Sequence, residues 1–170
     1  MSTTDGPGIF RRVKRSVVAA AVLLAWDAGV CGSFLMSTLV CPVWFLVSLI
    51  LNAIRRPGWG IALLRVGLPA LTLLIVRANS DLQLTVAETN ARRVVAACER
   101  YHAENGRFPG KLDELAPRYL PSVPPARYCL GPPSEFFYHG SENPLLAWQV
   151  VPPYYRKIYN FRDRRWSYLD

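Results

Sequence analysis

The chain has 170 residues, 51% of them hydrophobic, and carries 20 Lys and Arg against 12 Asp and Glu, a formal net charge of +8. The apolar residues crowd into 16–76 while ten of the 14 prolines follow residue 100, which excludes one uniform globule and excludes general disorder. The charge invites a nucleic-acid reading, but residues 1–77 hold 8 basic and 2 acidic side chains (+6) and residues 78–170 hold 12 and 10 (+2). Positive charge that flanks apolar segments sets membrane orientation, so nucleic-acid binding loses its support.

Arg11, Arg12, Lys14 and Arg15 precede an apolar run from Ser16 to Ile54, 39 residues with one charge, Asp27. As a single helix it would measure roughly 58 Å, about twice the hydrocarbon thickness of a bilayer, so the chain must turn within it. A charged Asp at a helix centre costs about 2.5–3.5 kcal/mol, which predicts an interfacial turn at Trp26-Asp27-Ala28-Gly29 with Trp26 at headgroup level. Phe34–Ile54 is then a span of 21 residues, with Pro42 tolerable inside it. After Arg55-Arg56-Pro57-Gly58, a stretch of 18 residues, Trp59–Val76, gives about 27 Å of helix. Its one charge, Arg65, sits near enough to that end to snorkel to the headgroups.

The two basic clusters orient these segments. Both the Arg11–Arg15 group and Arg55-Arg56 favour the cytoplasm, which requires an even number of crossings between them. The reading is a basic cytoplasmic N-terminus (1–15), spans at about 16–32, 34–54 and 59–76, and an extracytoplasmic domain from 78 to 170. A two-span arrangement starting near Val30 is the alternative and puts the C-terminus inside. A cleaved leader is another, with Ala28-Gly29-Val30 or Cys31-Gly32-Ser33 as a small-residue site. Asp27 beside the cut and the apolar continuation to Ile54 argue against it.

Asp81–Asn105 reads as an amphipathic helix that can run on from the last span. Leu84, Ala87, Ala91, Val94, Cys98 and Tyr101 recur at three- and four-residue spacing, with Glu88, Arg92, Glu99 and Arg100 largely off the stripe. Asn105-Gly106 is a stop signal, since glycine admits positive φ, and Pro109 follows. A short helix is expected over Lys111–Ala116, ending at Pro117, then a proline-rich loop through Pro121-Ser-Val-Pro124-Pro125 and Gly131-Pro132-Pro133. From Glu135 the period shortens. Glu135–His139, Leu145–Val151, Tyr154–Phe161 and Arg165–Leu169 are rich in aromatic and β-branched residues and are separated by turn residues. Leu146, Trp148 and Val150 alternate with Ala147 and Gln149, as a half-buried strand should. The expected fold class is an α+β membrane protein, with N-terminal transmembrane helices and then a long amphipathic helix packed on a small antiparallel sheet.

A membrane helix running into an amphipathic one, then Tyr101 and Asn105-Gly106-Arg107-Phe108-Pro109, resembles the type IV pilin-like class, most nearly the major pseudopilin of type II secretion. Leu112, Leu115, Pro117, Tyr119-Leu120 and Pro121 continue the pattern, and the resemblance extends over about residues 60–170. It implies a pilin-like fold with a terminal sheet. Processing of family members requires a glycine before the mature N-terminus and a glutamate five positions on. Here Gly67 is followed by Leu68-Pro-Ala-Leu-Thr72, so the resemblance carries the fold and leaves filament assembly without its motif.

Little else in the chain offers chemistry. Of four cysteines, Cys31 and Cys41 fall in the apolar part, and Cys98 and Cys129 fall in the outer domain, where an oxidising compartment would permit a bridge. The alternative is that Cys98 is a small apolar residue on the stripe. His102 and His139 have no ligand partner at metal spacing, Asp113-Glu114 reads as a solvated face, and Glu135, Glu142 and Asp163 are too scattered for the calcium site some pseudopilins carry. Phosphate-loop, zinc-protease and nucleophile-elbow motifs are missing. Tyr154, Tyr155, Tyr159, Trp166 and Tyr168 suit either an aromatic contact surface or a buried sheet face. The expectation is a non-enzymatic protein of a bacterial inner membrane, its C-terminal domain periplasmic, using no cofactor or metal. Its partners are the lipid bilayer and envelope proteins, in a scaffold role beside a secretion or pilus system. The alternatives are a membrane-tethered inhibitor or immunity-type protein, and an unrecognised membrane enzyme.

Overall fold

In the computed structural model, which describes residues 6–31, 34–140, 143–151 and 155–169, the chain divides into two units, Met1–Ser80 and Asp81–Asp170. The long aliphatic runs of the first unit form helices because few breakers interrupt them. Helix α1 (Gly6–Leu24) passes into a π-helical segment, Ala25–Cys31, followed by α2 (Leu35–Arg55) and α3 (Trp59–Asn105). Helices α2 and α3 are long and apolar enough to cross a membrane. Helix α1 has Arg11, Arg12, Lys14 and Arg15 within its length and is not one of these two; the side chains of Arg11 and Arg12 lie outside the described ones. Pro42 and Pro69 sit inside α2 and α3 without ending them.

The turn expected at Trp26–Gly29 is instead helical, and the reason lies in α2. Its capping position, Phe34, has no side-chain acceptor for the free N–H groups of the first turn. Asp27, fully buried, supplies one from ten residues upstream: its Oδ2 accepts the Ser37 backbone N–H at 2.6 Å. A carboxylate at a helix N-terminus also opposes the positive end of the macrodipole. The charge that looked like an interfacial turn therefore caps the next helix. At its other end α2 closes on Arg56, in left-handed conformation at φ 42°, with its N–H donated to Asn52 O at 2.9 Å. Asn52 Nδ2 in turn donates to Ala62 O on α3 at 3.0 Å.

In the second unit, the amphipathic stretch continues α3 without a break. Ala87, Ala91, Val94, Cys98 and Tyr101 are buried as expected, joined by Val95 and Ala97. They pack with Leu115, Leu120 and Ala126, and with Leu146, Trp148, Tyr159 and Phe161 from the sheet and its last turn. The helix ends at Asn105, where Gly106 takes φ +70° and donates its N–H to His102 O at 2.8 Å. The next helix is one 3-10 turn, Leu112–Leu115, shorter than expected, and the Ala116–Pro117 bond is cis.

Four strands follow: β1 (Phe137–His139), β2 (Leu145–Val151), β3 (Tyr155–Asn160) and β4 (Arg165–Leu169). They form an antiparallel sheet in sequence order, with Leu146 opposite Tyr159 and Tyr159 opposite Trp166. Ala147 and Gln149, expected to alternate outward, are buried alongside Leu146 and Trp148. Strand β2 lies between β1 and β3, which pair both its edges, and Arg127 covers its Gln149–Val150 end. Tyr154, expected to open the third strand, Pro152-Pro153, and Glu142 lie outside the described residues.

Candidate interaction surface

The residues that carry the family resemblance converge at the C-terminal end of α3. Asn105 Nδ2 donates to Tyr101 O at 2.8 Å and to Tyr119 Oη at 3.1 Å, which ties the helix end to the loop after the 3-10 turn. Tyr101 Oη donates to Glu114 Oε2 at 2.9 Å, while Glu114 Oε1 accepts the backbone N–H groups of Gly110 and Lys111 at 2.9 and 3.1 Å. Phe108 stacks on His102 with centroids 4.3 Å apart and tilts against Phe161 at 5.1 Å. Pro109 is buried, and its carbonyl accepts the Tyr138 hydroxyl at 2.8 Å. Gly140 closes the group from the β1–β2 connection: a Cβ there would lie 2.1 Å from Pro109 O. The motif thus joins helix end, loop and sheet.

Glu114 is exposed, as expected of a solvated face, and is also a hub. The Tyr101 hydroxyl, helped by the Lys111 and Gly110 N–H groups, holds its carboxyl below the usual range, and Tyr101 is raised by the same bond. The sequence signal was the spacing Lys111-x-x-Glu114, which lets a glutamate reach back to the start of its own turn.

A second cluster pins the sheet to the flank of α3. The Lys157 ammonium lies 5.7, 5.8 and 5.5 Å from the ring centroids of Trp148, Trp166 and Tyr168 and pairs with Glu88. Burial opposes its charge, yet the Glu88 carboxylate raises the ammonium above the ordinary lysine range. Farther along, Tyr159 Oη donates to Glu99 Oε1 at 3.2 Å. Glu88 and Glu99, off the apolar stripe in sequence, are the polar rim of the helix–sheet contact. The strand order is what brings Lys157 between aromatic rings: Trp148 pairs with it on β2, and Tyr168 on β4.

The third cluster had no signal in the sequence. The register of β2 and β3 shifts between Gln149 and Val151, leaving Val150 without a partner residue. Arg127, 1% exposed, donates Nη2 to Gln149 O at 2.7 Å and to Val150 O at 2.6 Å. Burial lowers its pKa. A bulge frees strand carbonyls, and this guanidinium satisfies them.

Cys98 and Cys129 are both free, and Cys98 is fully buried, in keeping with the alternative of a small apolar residue on the stripe. Tyr128, adjacent to Cys129, is bonded through its backbone to Gln83. Fifteen residues, about 22 Å of helix, separate Gln83 from Cys98, against roughly 7 Å between Cα atoms as the limit for a disulfide. Burial pushes the Cys98 thiol up to about 12, which makes it a poor nucleophile. His102 is exposed and stacked, and His139, Glu135 and Asp163 are exposed. Among the described residues, no three His, Cys, Asp or Glu side chains gather as a metal site. A cavity of about 600 Å³ is lined by Lys111, Asp113, Pro124, Ser134, Glu135 and Phe136. Arg15, Arg55 and Arg56 are exposed, as is Lys14, and none of them joins these clusters. No family model, no curated protein and no solved structure matches the chain.

Proposed function

We propose that this chain is a non-catalytic, membrane-anchored interaction or scaffold protein of a bacterial envelope. Its C-terminal α+β domain, pilin-like in the Tyr101–Pro109 region, stands in the periplasm beside a secretion or pilus system. The observation that carries the reading is the inverted polarity of the first unit. Only 17% of the most apolar stretch of α2, and of α3, is buried, whereas Asp27, Ser37, Ser48, Thr72 and Ser80 are buried. The core helix of a water-soluble protein does the opposite; helices in lipid turn large aliphatic side chains outward and pack small or polar residues against one another.

The reading takes three crossings, the first through Ser16–Cys31, which is not one of the two candidate spans; α2 then returns and α3 leads out, with Arg11, Arg12, Lys14, Arg15, Arg55 and Arg56 all on the cytoplasmic side. Asp27, engaged with the first turn of α2, stands at the outer end of that hairpin. The non-catalytic role is supported by the use to which the polar groups of the second unit are put: Glu114, Lys157 and Arg127 each hold structure together.

The test is purification of the tagged full chain from membranes washed at alkaline pH and solubilised in mild detergent. Retention in the membrane and co-purification of envelope-machinery components is the expected result. Release by the wash overturns the anchoring, and a single soluble partner in equal amount identifies a tethered inhibitor instead.

A further inference from the structure

The segment after Arg127 displays apolar side chains from a fastened backbone. Tyr128 is 65% exposed, Leu130 is 90% exposed, and Leu82 on α3 is 67% exposed. Gln83 holds the segment at both polar groups of one residue: its Oε1 accepts the Tyr128 N–H at 2.9 Å, and its Nε2 donates to Tyr128 O at 3.2 Å. Two helix turns farther on, Asn90 Nδ2 donates to Pro125 O at 2.8 Å. Buried Arg127 fixes the same segment to the end of β2. Water-exposed leucine and tyrosine on a chain held this firmly call for an apolar or interfacial neighbour.

Position along the chain says which neighbour. Gln83 follows Val76, the end of the apolar run, by seven residues, about 10 Å of helix. Arg77 closes that run, with its guanidinium 4.8 Å from the ring centroid of Phe34. Tyrosine beside leucine, this close to the end of an apolar helix, is the composition of the membrane–water interface, where the ring lies among headgroups and the aliphatic chain reaches below them. Three side chains also fall far short of the roughly 800 Å² per partner that a stable protein interface buries. We infer that Tyr128 and Leu130, together with Leu82, form a foot that rests in the headgroup layer of the bilayer that anchors α3. The occupant of this patch is lipid. The inference rests on the anchoring proposed above and adds a second attachment, made at high effective concentration because the helix already tethers the domain.

The experiment uses the full chain in nanodiscs of phosphatidylethanolamine and phosphatidylglycerol. An environment-sensitive fluorescent amino acid replaces Leu130 in one sample and Arg118 in another. Arg118 is bonded to Glu104, at the other end of α3, and both positions are exposed, so neither substitution touches the core. The expected result is blue-shifted emission at 130, quenched several-fold more than at 118 by a nitroxide carried on shallow lipid positions. Equal, water-like emission at both positions in protein that co-migrates with the nanodiscs overturns the foot and leaves the anchor standing. A blue shift without lipid quenching means that protein covers the patch, and likewise overturns it. Failure of the chain to enter nanodiscs overturns the anchoring reading and the foot with it.

Discussion

In the first unit Asp27 and Ser37 have no exposure at all, while Leu39, Ile54 and Leu63 stand 68–73% exposed; in the second, Trp148, Leu115 and Leu146 are the buried side chains. Buried polar side chains of both units bond to backbone: Asn90 and Arg127 of the second donate to carbonyls, and Asp27 of the first accepts the Ser37 N–H. The lesson is that burial has to be judged against the solvent. The second unit follows the rules for water, with an apolar core and each described strand paired. The first has the polarity that the proposed membrane anchor requires, since in lipid large aliphatic side chains lose nothing by facing outward and small residues let helices approach.

That contrast can be broken by substitution, in descending order of effect. Trp148→Ala in the second unit should cost about 4 kcal/mol, because it empties the centre of the core and removes a wall of the Lys157 cluster. Leu49→Ala, 43% exposed on α2, should change stability by no more than about 0.5 kcal/mol in detergent micelles. Chemical unfolding of the two variants measures both, and comparable losses would mean that α2 is a buried helix of the ordinary kind.

Arg127→Met keeps much of the side-chain volume and strands the carbonyls of Gln149 and Val150. A loss of about 2–3 kcal/mol is expected, with amide exchange rising first at the end of β2. Gly140→Ala drives a methyl group into Pro109 O and should cost about 2 kcal/mol. A melt matching the parent protein would show that the β1–β2 connection yields freely.

The smallest effect is a pH slope. The folded-state pKa of Glu114 is depressed, so its stabilisation is present above the ordinary glutamate range and is lost as pH falls through the folded value. Unfolding followed between about pH 6 and 3 should show this loss, and Glu114→Gln should flatten it. The raised tyrosine pKa of Tyr101 makes no difference in that window.

Much of the second unit was legible because its signals are local. The stripe from Ala87 to Tyr101 needs only helical spacing, Asn105-Gly106 stops a helix by its own backbone preference, and the bounds of β2 and β4 follow from aromatic and aliphatic runs cut by turn residues. What escaped depends on contacts between distant residues. Arg127 is one more basic residue in a proline-rich loop until the bulge at Val150 exists to receive it. Lys157 looks like a surface lysine until β2 and β4 bring tryptophans to either side. Asp27 could have been suspected: α2 begins at Leu35 without Ser, Thr, Asp or Asn in the capping position, and an uncapped helix needs an acceptor from elsewhere. The choice between a Cys98–Cys129 bridge and two free thiols stayed open for the complementary reason, since sequence does not say that the loop lies beside Gln83.

The central claim is that the first unit crosses a membrane and sets the second on the face opposite Arg55-Arg56. Fusing a reporter that is active only outside the cytoplasm at residue 57 and, separately, at residue 170 tests it most directly. The account predicts activity at 170 and silence at 57. Activity at 57 with silence at 170 would contradict it.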